Sequence, residues 1–318
     1  CINQCNFDPS LVRLLQLDDV AFLRGLHADN RGNHADARGY LGHALLLARA
    51  AGDVRAAQEI AANLAHAYNM AGQRSEALQI YAELLDSARR THNVQALLWA
   101  QNSRGTTFTL AGRAAEAIDI YEEIDPLTRE TGDATEIIAQ GLVAFPYMMT
   151  GAWPNALARA EEVLSLSHVP PTGWHCYLGY LASCEVFLAF WEQELASARQ
   201  SREVAKTARR ALQSMSACSE VFRLGRPADL CYRGLYHWLA GRRVRARWWW
   251  SRALRLALGM NMTYDEARVR YEIGRHADEG DPLRRIQLER ARTLFARVGA
   301  RYWLSRCELV GDNAHAGH

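Results

Sequence analysis

Apolar residues along this chain follow the three-and-four spacing of amphipathic helices, and glycines interrupt the pattern about every forty residues. Five marker glycines end the first helix of successive units, and the first intervals between them are 40, 40 and 39 residues. A fixed period of this length is typical of stacked helical hairpins. Glycine suits the left-handed backbone conformation that ends a helix. The marker glycines are Gly32, Gly72, Gly112, Gly151 and Gly241.

Two positions in each unit carry a small residue, one on each predicted helix. Two helices joined by a short turn approach closely where they cross, and small side chains permit that approach. The long interval after Gly151 leaves room for two longer units, one of them centred on Trp191. The first helices supply Gly25, Ala65, Gly105, Ala144, Cys184 and Gly234, and the second helices supply Ala37, Ala77, Ala117, Ala156, Ala196 and Ala246. Four positions after most of these alanines, a larger residue lies on the same helical face: Leu41, Tyr81, Tyr121 and Trp250.

This spacing of small, alanine and aromatic residues resembles the signature of the tetratricopeptide repeat (TPR) family. The resemblance covers about residues 18–255 and is best at Leu64, Ala65, Tyr68, Ala77, Tyr81 and Leu84. It implies an all-α fold, a right-handed α-solenoid of about seven TPR-like hairpins with a C-terminal capping helix. We predict a lead-in helix over 1–17, cut from a longer chain, and repeats over 18–258. A final hairpin and capping helix then occupy 259–310, and a disordered tail occupies 311–318.

Composition excludes several classes of protein. The net charge of the 318 residues is +2, so the chain as a whole is not built to bind nucleic acid or an anionic membrane. The seven cysteines form no C-x-x-C pair and match no zinc-ligand spacing, which favours a reducing, cytoplasmic setting. No apolar stretch reaches the 18 residues of a membrane span.

Motifs for catalysis are missing from the sequence. Lys206, the single lysine, lacks the preceding glycines of a phosphate-binding loop, and there is no zinc-protease, nucleophile-elbow or dinucleotide-binding motif. His27 and His34 are seven residues apart, but a helix end intervenes, and histidines at the surface or in a groove are favoured over a metal site. We therefore predict no catalytic, cofactor-binding or metal-binding residues, and no cofactor.

A partner groove is predicted where the first helices of successive units line up. Its surface changes from polar to apolar along the chain, and exposed apolar residues in a groove favour a binding surface. The alternative is that Phe145, Met148 and Met149 pack against a neighbouring domain or against longer second helices. The predicted groove residues are Glu59, His66, Asn69, Trp99, Asn102, Thr106, Thr109, Phe145, Met148 and Met149.

Arginines flank a run of three tryptophans in one later segment, which gives a secondary basic patch. A structural interpretation is favoured, in which Trp250 takes the aromatic repeat position, Ala246 packs at the crossing and Trp249 covers the adjoining unit. A protein or ligand contact is the next interpretation, and nucleic acid is less favoured. The patch residues are Arg242, Arg243, Arg245 and Arg247.

A second resemblance covers about residues 230–305. The phrases Gly234-Leu-Tyr-His-Trp-Leu-Ala-Gly and Tyr271-Glu-Ile-Gly-Arg-His are similar to the C-terminal repeats of large bacterial AAA/STAND ATPases, whose N-terminal domains are nucleotide cyclases or kinase-like. The resemblance implies a non-catalytic sensor or scaffold arm that binds a protein, a peptide or an upstream domain of the same chain. The alternatives are the repeat region of an ATPase-type transcriptional activator and, less favoured, an autonomous enzyme.

Overall fold

The computed structural model describes residues 9–31, 33–168, 176–198 and 202–312. These residues form fifteen α-helices and one short 3-10 helix, Arg223–Gly225, and contain no strand. The all-α prediction is thus confirmed. The helices are α1 (Pro9–Asn30), α2 (His34–Ala51), α3 (Val54–Met70), α4 (Arg74–Arg90), α5 (Val94–Leu110), α6 (Ala114–Thr131), α7 (Asp133–Met149), α8 (Trp153–Ser165), α9 (Cys176–Ala196), α10 (Arg202–Val221), α11 (Arg226–Leu239), α12 (Arg243–Gly259), α13 (Thr263–Arg275), α14 (Pro282–Arg297) and α15 (Arg301–Asp312).

The chain divides into two compact units, Cys1–Ser103 and Arg104–His318, and the division falls inside α5. In the first unit, α1 packs on α2 and α3 packs on α4. In the second unit, the hairpins are α7 with α8, α9 with α10, α11 with α12, and α13 with α14, and α15 packs on α14. No described helix is long and apolar enough to cross a membrane.

The marker glycines end the first helices as predicted. Gly72, Gly112, Gly151 and Gly241 all have φ between 75° and 82°, in the left-handed region that side chains disfavour. Gly32 lies outside the described residues. Gly259, a further expected helix end, is the last residue of α12, but the left-handed conformation is taken by Asn261, at φ 54°.

Close helix crossings explain the small residues of the repeat. A Cβ atom added to Gly105 would lie 2.4 Å from the Tyr121 ring, and one added to Gly234 would lie 2.3 Å from the Trp250 indole. In the first unit, a Cβ atom on Gly25 would lie 2.5 Å from the Leu41 side chain. These distances are shorter than any carbon contact, so the large residue of the second helix fills the space that the missing side chain leaves.

The fifth hairpin differs from its predicted register. A turn was expected after Trp191 and a crossing alanine at Ala196, but α9 continues through Ala196, which is exposed. The residues after Trp191 include no glycine, and Glu, Gln, Leu and Ala extend a helix readily. The second helix, α10, starts only at Arg202, and Ala208 is its fully buried small residue.

The predicted domain bounds can be set beside the described helices. Residues Pro9–Asn30 form a single helix, with no break at the predicted boundary after residue 17. The segment 259–310 holds α13, α14 and nearly all of α15. Residues 1–8, and all but the first two residues of the predicted tail over 311–318, lie outside the described residues. The bounds stay predictions.

Candidate functional site

The predicted groove of the first unit lies on α3 and α5. Glu59 is exposed, while His66, Trp99 and Asn102 are half-buried. Asn69, one helical turn beyond His66 on α3, is only 3% exposed. This face therefore combines amide, imidazole and indole groups, which bind by hydrogen bonds and by aromatic contact.

Asp29 on α1 contacts two histidines of the first unit. Its Oδ1 lies 2.8 Å from Nδ1 of His34, and its Oδ2 lies 3.8 Å from Nε2 of His66. Burial lowers the pKa of His66, and the nearby Asp29 carboxylate only partly opposes that effect. The imidazole of His66 is therefore neutral near neutral pH and has both a donor and an acceptor nitrogen.

The side-chain oxygen of Asn69 is an unexplained polar atom of this face. Its Oδ1 is buried and accepts no hydrogen bond from any described residue. A buried acceptor without a donor costs about 1–3 kcal/mol, so native proteins seldom retain one without a reason. A donor from a bound molecule would remove that cost.

The predicted groove residues of the second unit are mostly engaged within the chain. The Thr109 hydroxyl donates to the carbonyl oxygen of Gly105 at 2.8 Å, and the hydroxyl oxygens of Thr106 and Tyr121 are 3.2 Å apart. Met148 is 6% exposed. Met149 remains half-buried.

The apolar end of the predicted groove is covered by the C-terminal helix of the same chain. The Phe145 ring on α7 lies edge-to-face with Tyr302 at a centroid distance of 5.6 Å, and 6.1 Å from the centroid of Trp303. Both partners belong to α15. This arrangement agrees with the alternative in which Phe145 packs inside the protein, although the covering element is the final helix and not a separate domain or a second helix.

A buried cluster of ion pairs lies beside this contact, and the sequence analysis missed it. One guanidinium nitrogen of Arg268 on α13 lies 3.1 and 3.0 Å from the two carboxylate oxygens of Glu185 on α9, and another lies 3.2 Å from Glu272. Tyr232 also donates a hydrogen bond to Glu185. The Trp303 ring covers Arg268, with its centroid 3.5 Å from the guanidinium carbon.

The ionic cluster continues along α13. Arg275 pairs with Glu272 at 2.8 Å and with Glu192 on α9 at 2.6 Å. The neighbouring cations hold the pKa of Glu272 well below its usual range, although burial acts in the other direction. A sequence signal existed: Asp265, Arg268, Glu272 and Arg275 are spaced by three, four and three residues, so charges line one face of α13.

We expect Asp265 to make stability depend on pH. Burial raises its pKa to about 7, although Arg268 opposes the shift. Because the folded-state pKa exceeds the unfolded value of about 4, the free energy of unfolding should fall as the pH rises from about 4 to about 7. Urea unfolding at several pH values should show a smaller fall for Asp265→Asn. Equal pH slopes for the two proteins would contradict this assignment.

Catalytic and metal chemistry have few candidates among the described residues. No three or more His, Cys, Asp or Glu side chains in the described ranges are grouped to hold a metal ion. Burial raises the pKa of the Cys184 and Cys231 thiols well above the usual value and that of Cys218 to about 12, so these thiols are poor nucleophiles at neutral pH. The absence of an enzyme activity stays a prediction.

The basic patch is split between a packed tryptophan and exposed arginines. Trp250 is 1% exposed and its indole N–H donates to the carbonyl oxygen of Cys231 at 3.1 Å, while Ala246 is fully buried. Trp249 stacks on His237 of its own hairpin, at an interplanar angle of 8°. The four predicted patch residues, Arg242, Arg243, Arg245 and Arg247, are all exposed.

Comparison with one solved structure supports the all-α fold of the chain, and the sequence comparisons give no closer relation. No family model matches the sequence, and no curated protein matches it. A Rap protein solved in complex with competence and sporulation factor has a TM-score of 0.63 at 10% identity, covering 96% of this chain and 77% of that one. A TPR protein from Parabacteroides merdae has a TM-score of 0.41 at 14% identity, covering 93% and 98%.

These comparisons contain nothing that supports a link to AAA/STAND ATPases. The chain has the all-α fold of TPR-like helical hairpins.

Proposed function

We propose that the chain is a non-catalytic protein-binding module, and that the first-helix face of its first unit binds an extended peptide segment of a partner. The observation that carries the proposal is the buried, unpaired Oδ1 of Asn69. A peptide backbone offers N–H donors at regular intervals, so it matches an acceptor of this kind. Neutral His66 and half-buried Trp99 supply a further hydrogen-bonding group and an apolar contact on the same face.

The fold is compatible with this role. The structurally similar Rap protein was solved with competence and sporulation factor bound. From that likeness we extend to this chain only the idea that such a fold holds a partner molecule. In the second unit, the repeat position of His66 is occupied by Phe145, which already contacts α15. This contact favours the first unit as the open face.

The test is selection of random peptides of about 12 residues against the full chain, a length that suits an extended binding mode. The dissociation constant of each selected peptide is then measured by fluorescence anisotropy for the original chain and for Asn69→Ala. We expect Asn69→Ala to bind about tenfold more weakly, because one hydrogen bond to a buried acceptor is lost.

Asn63→Ala is the matched control. Asn63 also lies on α3, but its amide donates to the backbone oxygen of Glu59 at 2.9 Å. Its replacement should leave peptide affinity unchanged, and circular dichroism should show equal helix content for all three proteins. Selected peptides that bind Asn69→Ala as tightly as the original chain would refute the proposed face, as would a library without any binder.

We further propose the wider context that the sequence implies, a cytoplasmic regulatory arm of a bacterial signalling ATPase or nucleotide cyclase. It rests on the resemblance over about residues 230–305 alone. The coding sequence upstream of Cys1 tests it: an open frame that continues into an ATPase and cyclase supports the regulatory arm. An upstream ATPase together with a helix-turn-helix domain would favour the transcriptional activator. A start codon close to Cys1 would contradict both the regulatory arm and the activator.

A further inference from the structure

Helix α12 presents an unusual outer surface, which we call the α12 surface: Val244, Arg245, Arg247, Trp248 and Arg252. Val244 is 86% exposed and Trp248 is 49% exposed, although both are apolar. Spacings of four residues place Val244, Trp248 and Arg252 in one row along the helix. Arg245 and Arg247 are exposed beside that row. The α12 surface is therefore an apolar strip bordered by cations.

Negative charge does not balance these cations. The helix Arg243–Gly259 contains five arginines and no aspartate or glutamate, and its N-terminal capping residue is a sixth arginine, Arg242. Within the described part of the chain, none of the arginines on α12 forms an ion pair at 4.0 Å or less with a carboxylate. Arg129, an exposed cation of the same unit, differs in this respect, since it pairs with Glu136 at 2.8 Å.

The His237 side chain lies close to this positive charge. Burial and the nearby Arg242, Arg245 and Arg233 lower the pKa of His237 on α11 to about 4. Arginines at the start of a helix also oppose the positive end of the helix dipole. An anion at this position would relieve both repulsions, so the α12 surface is complementary to a negatively charged partner.

Protein carboxylates fit the α12 surface better than nucleic acid does. Binding of single strands relies on aromatic faces that are free to stack on bases. The guanidinium carbon of Arg252 lies 4.7 Å from the Trp248 ring centroid, and Trp249 meets that ring at an interplanar angle of 76° and a centroid distance of 4.6 Å. Val244 has no stacking function, whereas an apolar side chain of a protein partner would cover it.

We propose that the α12 surface binds an acidic amphipathic segment of a partner protein. The carboxylates of that segment pair with the exposed arginines, and its apolar side chains cover Val244 and Trp248. Arginine suits this task because its planar guanidinium accepts a carboxylate in a two-point contact. The α12 surface lies in the second unit and does not depend on the peptide face proposed for the first.

The probe is a synthetic amphipathic peptide of about 18 residues, with Glu and Asp flanking a Leu and Phe stripe at helical spacing. Its binding to the full chain is measured by fluorescence anisotropy, beside a neutral analogue with Gln and Asn. We expect the acidic peptide to bind at least about tenfold more tightly than the neutral one. Arg245→Glu with Arg247→Glu should weaken the acidic peptide by a similar factor, and Val244→Ser should weaken both peptides.

Two exposed arginines on α10 supply the matched control. Arg209→Glu with Arg210→Glu changes the net charge equally but lies away from α12, so acidic-peptide affinity should change no more than about twofold. Glutamate near the start of α12 complements the helix dipole. The variant Arg245→Glu with Arg247→Glu should therefore unfold at a temperature no lower than that of the original chain.

Equal affinity of the acidic peptide for the original chain and the α12 charge variant would overturn the proposal. A single-stranded DNA of about 20 nucleotides is the competing probe. DNA that binds more tightly than the acidic peptide, with no effect of Val244→Ser, would also overturn it and assign the surface to nucleic acid.

Discussion

Replacing Gly179 by alanine is expected to lower the free energy of unfolding of the second unit by about 3 kcal/mol. Gly179 lies on α9, where this helix meets α7. A Cβ atom at this position would lie 2.1 Å from the carbonyl oxygen of Ile137, and one on the facing Gly141 would lie 2.4 Å from Gly179 itself. The obstacle is backbone, so no side-chain rotation relieves it and the two helices have to separate.

Separation of α7 and α9 would disturb the largest apolar core of the second unit. That core includes Ile137 and Ala144 from α7 and Tyr180 and Cys184 from α9. A protein interior is packed as densely as an organic crystal, so even a shift of less than one ångström loses many contacts. The alanine's better helix propensity, worth about 1 kcal/mol, offsets only part of this cost.

Urea unfolding followed by circular dichroism measures the effect, and Gly259→Ala is the control. Gly259 is the last residue of α12, in the same unit, and nothing lies within 4 Å of a Cβ atom built there. Its replacement should leave stability unchanged or raise it by about 0.5 kcal/mol. If Gly179→Ala and Gly259→Ala unfold at the same urea concentration, α7 and α9 do not pack as closely as described.

Replacing Glu185 by alanine should cost about 4 kcal/mol, because it leaves the Arg268 guanidinium buried without its main counter-ion. Arg268 is 4% exposed, and Trp303 covers the guanidinium face. Water therefore reaches the guanidinium poorly, and Glu272, at 3.2 Å, is left as its neighbouring carboxylate. The Tyr232 hydroxyl loses its acceptor in the same variant, which adds to the cost.

An exposed pair supplies the comparison. Arg285 and Glu289 are 3.8 Å apart, with side chains 80% and 61% exposed. Glu289→Ala should change the free energy of unfolding by no more than about 0.5 kcal/mol, because solvent screens the pair. The double variant Glu185→Leu with Arg268→Met should recover much of the loss of Glu185→Ala, since it removes both charges. Similar losses in the Glu185 and Glu289 variants would show that water reaches Arg268.

The sequence predicted much of the fold because hairpin packing is a local property. Gly105 and Tyr121 belong to consecutive helices, so their contact repeats with the period of the chain and is visible as a pattern. The predicted position of the fifth hairpin was wrong, because the local signal weakens there. No glycine follows Trp191, and the length of α9 depends on its contacts with α7 and α11.

The candidate surfaces were predicted less completely. The residues on α3 and α5 were identified from the repeat register, but the unpaired Oδ1 of Asn69 depends on every neighbouring atom and leaves no trace in the sequence. The exposed arginines of α12 were recognised as a basic patch. Their lack of carboxylate partners is a property of the surrounding helices, which the sequence of α12 alone does not contain.

By itself, the sequence determined the helical class, most of the hairpins and most of the glycines at helix ends, because each depends on residues within about forty positions of one another. Only the tertiary structure decided that α15 covers Phe145 and that Arg268 reaches Glu185, 83 residues away. Such contacts join segments that no periodic signal relates. They are favourable only when the intervening helices have already been stacked, since the energies of burial and ion pairing depend on the assembled surroundings.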